Sequence, residues 1–125
     1  MKRKILIVED NIGLSQMQKD WFAQAGYDAV TAMNEPIARS LIRKTTFDLI
    51  LSDVRLPEGD GISLLEWLRK EKKKIPFIIT TEYVSVPDVV RTIKLGAIDY
   101  LPKPVHREHL LELAEDVFRP MVTVR

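Results

Sequence analysis

The chain contains no cysteine. This absence excludes disulfides, thiolate nucleophiles, and sites in which thiolates hold zinc or an iron–sulfur cluster. No apolar run approaches the roughly 20 residues that a bilayer span requires. Only four apolar residues follow the basic residues 2–4, which is too few for a signal peptide. These features predict a soluble protein of the cytoplasm.

The chain also lacks an excess of charge of either sign. It has 19 Lys and Arg residues against 18 Asp and Glu residues, for a formal net charge of +1. A basic excess over a whole domain is typical of phosphate-binding surfaces, so the balance predicts no direct nucleic-acid or membrane binding. The 125 residues, 46% hydrophobic and 30% charged, suit one globular domain with a sizeable core.

Five short apolar runs predict β-strands, at residues 4–8, 27–32, 47–52, 77–80 and 98–101. Three of them are rich in Ile, Leu and Val with little alternation, which suits strands buried on both faces of a parallel sheet. The segments between the runs carry apolar residues at helical spacing. The pattern therefore predicts an α/β fold of five βα units, a doubly wound parallel sheet with helices on both faces.

Helical spacing also predicts which side chains face the sheet. In the first helix the predicted buried residues are Leu14, Met17, Trp21 and Ala25. In the fourth helix they are Val86, Val89, Val90 and Ile93. The charged run at residues 69–74 is expected to be a solvated helix end, because cations are favoured near a helix C-terminus.

The residues that follow the predicted strands determine the chemistry, since open parallel sheets bind ligands outside the carboxyl ends of their strands. Glu9 and Asp10 follow the first strand, Asp53 the third and Lys103 the fifth. Neighbouring carboxylates repel by roughly 4 kcal/mol per pair at about 4 Å and an effective dielectric near 20, unless a cation lies among them. Mg²⁺ suits this edge because it prefers oxygen ligands and retains several waters.

Asp53 remains available for a second task. At the end of the central strand it is placed to act as a nucleophile or phosphoryl acceptor, as carboxylates do in aspartyl-phosphate chemistry. Lys103 offers positive charge, and Thr81 a hydroxyl donor, to the phosphoryl oxygens. Taken singly, each acid also fits a solvated turn or a helix cap, and Thr81 also fits the N-cap of the fourth helix.

Four motifs together carry a specific resemblance. They are residues 5–11 (ILIVEDN), 51–61 (LSDVRLPEGDG), 80–81 (TT) and 96–104 (GAIDYLPKP). Over residues 4–118 the chain resembles the receiver domains of two-component response regulators, most closely those of nitrogen-regulator-type (sigma54-dependent) transcription factors. The resemblance implies a flavodoxin-like (βα)5 fold with strand order 2-1-3-4-5, a receiver domain at 1–119 and the start of a linker or tail at 120–125.

The resemblance also implies roles for individual residues. Glu9, Asp10, Asp53 and the Arg55 backbone carbonyl would hold Mg²⁺, and Asp53 would accept the phosphoryl group of a histidine kinase. Thr81 and Tyr100 would form a conformational switch, and Lys103 would bind the phosphate. The Lys103–Pro104 bond is expected to be cis. Such a domain catalyses only its own phosphorylation and dephosphorylation and is not a turnover enzyme.

The sequence departs from the family pattern at Glu82, where a small residue is usual. Glu82 is expected to slow phosphoryl entry and exit by restricting access and repelling anionic donors. Arg55 and Tyr83 are expected to modulate the same opening, and pairing of Glu82 with Arg55 or Lys103 would blunt its effect.

The implied partners are a sensor histidine kinase, a second copy bound through the fourth helix, fifth strand and fifth helix, and output domains beyond this chain that regulate transcription. The main alternative is a pseudo-receiver that binds partners without phosphorylation; Glu82 favours it, whereas Asp53, Thr81 and Lys103 oppose it. A flavin binder would need amides and hydroxyls at the first phosphate loop, where Glu9 and Asp10 stand. A hydrolase would gain from a general acid–base at residue 55, which is an arginine.

Overall fold

The structure is a computed structural model in which residues 2–120 are described. The strands are β1 (Lys4–Val8), β2 (Asp28–Ala32), β3 (Leu49–Asp53), β4 (Phe77–Thr81) and β5 (Asp99–Pro102). The helices are α1 (Ile12–Gln24), α2 (Glu35–Lys44), α3 (Gly61–Lys70), α4 (Val86–Lys94) and α5 (Arg107–Phe118). The predicted linker at 120–125 lies almost wholly outside the described residues.

The five strands form one parallel sheet in the order β2-β1-β3-β4-β5, which confirms the predicted order. β3 lies at the centre, and its neighbours β1 and β4 lie in register with it, so that Val8 pairs with Ser52 and Asp53 with Thr80. β3 and β4 each run one residue beyond the predicted ends. Asp53 and Thr81 therefore belong to the strands themselves.

The core is divided by the sheet into two layers, because successive strand residues point to opposite faces. Leu6 and Val8 face the layer that contains α2 and α3, whereas Ile5 and Ile7 face the layer that contains α1 and α5. All four side chains are fully buried. Helices on both faces explain why the strands are continuous apolar runs.

Polar side chains start four of the helices by accepting a hydrogen bond from a backbone N–H of the first turn. These N-caps are Asn11 for α1, Asn34 for α2, Asp60 for α3 and Ser85 for α4. The alternative in which Thr81 caps the fourth helix is therefore wrong. Among residues 2–120, no helix is both long enough and apolar enough to cross a membrane.

The predicted buried face of α1 is wrong by one residue, although Trp21 of the predicted set packs against the core. The buried residues are Ser15, Gln18 and Phe22, whereas Met17 is 42% exposed. The two faces differ by one residue, or about 100° of helix rotation. Leu14 and Met17 instead line a groove beside the segment that follows β5, while Ser15, Gln18 and Phe22 face the sheet.

The predicted buried face of α4 is also wrong. Val86, Val90 and Ile93 are 73%, 46% and 64% exposed, and Thr92 is the buried residue of this helix. α4 packs against α3 and against β5, which is an edge strand. A helix at the edge of a sheet has little core to face, so its apolar stripe is left at the surface.

Arg69 departs from the expectation that the charged run is a solvated helix end. Its guanidinium donates to the carbonyl oxygens of Leu95 at 2.6 Å, Lys73 at 2.8 Å and Ile75 at 3.1 Å. The chain leaves α3 through Lys72, which has a positive φ of 57°. Arg69 thus pairs with two carbonyl groups of the loop after α3 and with the carbonyl of Leu95, the C-cap of α4.

Candidate functional site

Three carboxylates meet at the carboxyl edge of the sheet. Glu9, Asp10 and Asp53 each place one oxygen within 4.8 Å of the others. Glu9 and Asp53 are only 4% and 8% exposed, while Asp10 faces solvent. The cluster forms because β1 and β3 are hydrogen-bonded neighbours that end at the same level. An all-oxygen donor set that is open to water on one side suits a hard divalent cation such as Mg²⁺.

Lys103 reaches this cluster from the segment after β5. Its Nζ lies 2.6 Å from Glu9 Oε1 and 2.9 Å from Asp53 Oδ2. Its backbone N–H donates to the Thr81 carbonyl at 2.7 Å, which ties the lysine to the end of β4. The Lys103–Pro104 bond is cis, as the resemblance implies. One ammonium group therefore contacts the two buried carboxylates.

Burial and pairing oppose each other at this ion pair. Burial lowers the pKa of Lys103, but hydrogen bonds to Glu9 and Asp53 outweigh it, and the pKa is raised overall. Burial raises the pKa of Glu9 above its usual range, although Lys103 and the Asn11 backbone N–H pull it down. Burial of these charged carboxylates therefore costs free energy, and a bound cation would offset that cost.

The backbone around Asp53 is held on several sides. Ser52 Oγ donates to the Asp53 carbonyl oxygen at 2.9 Å, and the Val54 N–H donates to the Thr80 carbonyl at 3.0 Å. At Gly61 an added Cβ would lie only 2.2 Å from the Asp53 carbonyl oxygen. Sequence reasoning did not assign Gly61 a role; a glycine directly after the loop that follows β3 was the available signal.

The hydroxyl groups of Thr81 and Tyr100 differ in their hydrogen bonding. The Thr81 hydroxyl donates to the Tyr83 carbonyl at 3.0 Å and accepts from the Tyr83 N–H at 3.1 Å. The Tyr100 ring packs against the core layer beneath α2 and α3. Its hydroxyl is buried and finds no hydrogen-bond partner within residues 2–120. Thr81 is thus engaged with the loop after β4, and Tyr100 has an unmet donor in the core.

Glu82 and Tyr83 lie on the loop after β4 and Arg55 on the loop after β3, and all three are exposed. The Arg55 guanidinium carbon lies 4.7 Å from the centre of the Tyr83 ring, in a cation–π contact. Glu82 lines the groove beside Lys103 and Pro104. Within the described part of the chain Glu82 forms no ion pair, because Arg55 stacks on Tyr83 and Lys103 pairs with Glu9 and Asp53.

Comparison with known proteins assigns the family. Residues 5–115 match the response regulator receiver domain. The chain belongs to this family. Receiver domains are typically not turnover enzymes, and their partners are histidine kinases.

Curated relatives of the chain are transcriptional regulators. It is 32% identical over 118 residues to the response regulator protein PilR of Pseudomonas aeruginosa, an alignment that covers 94% of this chain and 26% of that protein. It is 36% identical over 118 residues to the transcriptional regulatory protein ZraR of Salmonella typhimurium, with 91% and 26% covered. These relatives are sigma54-dependent regulators. The chain spans about a quarter of their length.

Solved structures agree with the fold. The non-phosphorylated HemR receiver domain of Leptospira biflexa has a TM-score of 0.88 and 34% identity, and the alignment covers 99% of this chain and 100% of that one. A CheY-like receiver domain protein from Methanospirillum hungatei also has a TM-score of 0.88, with 30% identity and 94% of each chain covered.

Proposed function

We propose that this receiver domain accepts a phosphoryl group on Asp53 from the phosphohistidine of a sensor kinase, in a reaction that requires Mg²⁺. The observation that carries the proposal is the meeting of Asp53, Lys103 and the Glu9–Asp10 pair at one edge of the sheet. A chain that has lost phosphorylation has no need to keep a buried acid cluster and its lysine together, because burying charge is costly.

The proposed step is a displacement at phosphorus. An Asp53 carboxylate oxygen forms the new P–O bond while the P–N bond to the kinase imidazole breaks, and the imidazole nitrogen keeps the electron pair and takes a proton. Lys103 would bind the oxygens of the phosphoryl group once it is on Asp53, because the Lys103 ammonium already lies 2.9 Å from Asp53 Oδ2. Glu9, Asp10, Asp53 and the Arg55 carbonyl would hold Mg²⁺, which would supply positive charge against the charge that develops on those oxygens.

The proposed switch uses the hydrogen bonds of Thr81. When its hydroxyl turns to a phosphoryl oxygen on Asp53, the Tyr83 carbonyl loses the donor that it has at 3.0 Å. That carbonyl then becomes a candidate acceptor for the buried Tyr100 hydroxyl, which has no acceptor in the described part of the chain. Such an exchange couples the phosphoryl group to the loop that starts α4, and it biases a two-state surface.

The proposed output surface consists of α4, β5 and α5. Val86, Val90, Ile93 and Ile98 are exposed there, and contiguous exposed apolar residues mark interaction sites. We expect a second copy or an output domain to dock on it. By analogy with the curated relatives, that output is transcriptional regulation through domains outside this chain.

Phosphorylation of the purified chain tests the proposal directly. Incubation with acetyl phosphate and Mg²⁺ should add one phosphoryl mass, and Asp53→Asn should abolish the addition. Asp20→Asn is the matched control, because Asp20 lies on the exposed side of α1 and, within residues 2–120, its side chain accepts only from Gln16. Addition of the phosphoryl mass to Asp53→Asn at the wild-type rate would contradict the assignment.

The switch has its own test. A beryllofluoride complex, which mimics the phosphoryl group, should change amide chemical shifts or hydrogen exchange mainly at residues 82–110. Changes confined to the loops that carry Asp53 and Lys103 would count against coupling between the site and the α4 surface.

A further inference from the structure

A buried acid outside the carboxylate cluster holds the loop that leads from the site. Glu35 is the first residue of α2 and is only 5% exposed. A carboxylate at the first turn of a helix is favoured by the helix dipole. That effect does not require burial, so the contacts of this side chain need another explanation.

The buried side of Glu35 is occupied by the loop between β3 and α3. The Glu35 backbone N–H donates to the Glu58 carbonyl at 3.1 Å, and its Oε1 accepts from the Asp60 N–H at 3.0 Å. Between these contacts lies Gly59, with a positive φ of 76°, where an added Cβ would come within 2.3 Å of Glu35 Oε1. Three consecutive loop residues are thus fitted against one glutamate.

The glutamate is itself held in place. Its Oε2 pairs with the guanidinium of Arg39, one turn along α2. The Arg39 guanidinium carbon lies 5.0 Å from the centre of the Trp67 ring on α3. The carboxylate therefore has one oxygen fixed by an arginine that α3 supports, while the other is free to bind the loop.

The same loop carries a proposed metal ligand. Its two limbs are joined by the antiparallel bridge between Arg55 and Asp60 and by the Gly61 N–H, which donates to the Val54 carbonyl at 2.9 Å. The limb with Asp60 is the one that Glu35 holds. This bridge links the limb that Glu35 holds to the limb that carries the Arg55 carbonyl.

We infer that Glu35 is a positioning residue for the Mg²⁺ site: it fixes the β3–α3 loop so that the Arg55 carbonyl is set for the cation. The inference rests on the proposed function. It assigns a role in metal binding to a residue that does not touch the metal, and it predicts that the acceptor oxygen at residue 35 matters more than the negative charge.

Mg²⁺ titrations followed by amide chemical shifts test this role in four variants. Glu35→Ala removes the acceptor, and Gly59→Ala pushes the loop off an intact glutamate. Each should weaken Mg²⁺ binding about three- to tenfold, which is less than the full loss of one hydrogen bond to a charged group because residue 35 acts on the metal only through the loop. Glu35→Gln keeps an acceptor oxygen and should stay within about twofold of wild type.

The matched control is Glu66→Ala. Glu66 also pairs with an arginine, Arg91, but this ion pair joins α3 to α4, and within residues 2–120 neither side chain is hydrogen-bonded to the β3–α3 loop. Its Mg²⁺ affinity should be that of wild type. Hydrogen exchange without metal gives a second readout: the Asp60 amide should exchange faster in Glu35→Ala than in wild type or Glu66→Ala.

The outcomes separate the inference from the proposed function. Wild-type affinity in both Glu35→Ala and Gly59→Ala overturns the inference alone, and so does an equal loss in Glu66→Ala, which would indicate a general loss of stability. If the wild-type chain shows no Mg²⁺ response at all, the proposed function is wrong and the inference falls with it.

Discussion

The carboxyl edge of the sheet and the surface of α4 differ in which kind of side chain is buried. At the edge, ionisable groups are buried: Glu9 is 4% and Asp53 8% exposed. On α4, apolar groups are exposed: Val86 is 73% and Ile93 64% exposed. The two regions are only a short loop apart, and Thr81 and Tyr83 connect them through mutual hydrogen bonds.

The contrast shows where this fold is rigid and where it is open to partners. Buried charges must be paired and hydrogen-bonded: Glu9 and Asp53 both pair with Lys103, and Glu9 also accepts from the Asn11 N–H. Exposed apolar side chains need no such partners. The contacts of α4 are mainly with α3 and β5. A signal that begins with chemistry at a rigid edge can therefore be read out on a helix whose position is less constrained.

The largest difference between the regions should appear in stability. Leu64 is fully buried in the layer beneath α2 and α3, and Leu64→Ala should lower the free energy of unfolding by about 2–5 kcal/mol. Ile93→Ala on α4 should change it by less than about 0.5 kcal/mol, since a solvent-exposed side chain leaves no cavity. Urea unfolding of both variants measures this. A large loss for Ile93→Ala would mean that the α4 stripe is covered within the folded chain.

Removal of the acid pair should nearly abolish metal binding while the fold persists. The double variant Glu9→Gln, Asp10→Asn should bind Mg²⁺ about 100-fold or more weakly, because the cation loses two charged ligands. Titration monitored by amide shifts provides the measurement. The control is Glu71→Gln with Glu112→Gln, which makes the same change in net charge at exposed positions. Unchanged affinity in the double variant would refute the metal site.

Glu82 lies between the two regions and should affect the rate of phosphorylation. Glu82→Ala should accelerate labelling by acetyl phosphate several-fold to about tenfold, and more at low ionic strength, because an anionic donor no longer meets a carboxylate beside the opening. Initial rates at two salt concentrations, with Glu112→Ala as the control for net charge, measure the effect. Equal rates, or a slower variant, would show that Glu82 does not obstruct the donor.

The smallest expected effect concerns Tyr100. Tyr100→Phe removes a buried hydroxyl that has no partner within residues 2–120, so the unphosphorylated protein should become more stable by about 0.5–1 kcal/mol. Tyr83→Phe, at a residue that is 63% exposed, should leave stability unchanged. Urea unfolding distinguishes the two. Destabilisation by Tyr100→Phe would indicate that its hydroxyl is hydrogen-bonded in solution.

Much of the fold follows from local pattern. Continuous apolar runs predicted all five strands to within about two residues at each end, and the polar residues after them predicted which side chains would meet. The faces of α1 and α4 were predicted incorrectly. Periodicity identifies the apolar stripe of a helix, but it does not show whether that stripe meets the sheet, a groove or solvent.

The sequence by itself determined the chemistry available to this protein. The acids after β1, the aspartate that ends β3 and the lysine after β5 converge because parallel strands present their carboxyl ends at one edge, whatever the details of packing. Only the tertiary structure decided that Lys103 bridges Glu9 and Asp53, that the buried Tyr100 hydroxyl has no partner among residues 2–120, and that Glu35 holds a loop 25 residues further along the chain. These contacts join elements distant in sequence, and their geometry depends on how helices and loops pack together, which no local pattern encodes.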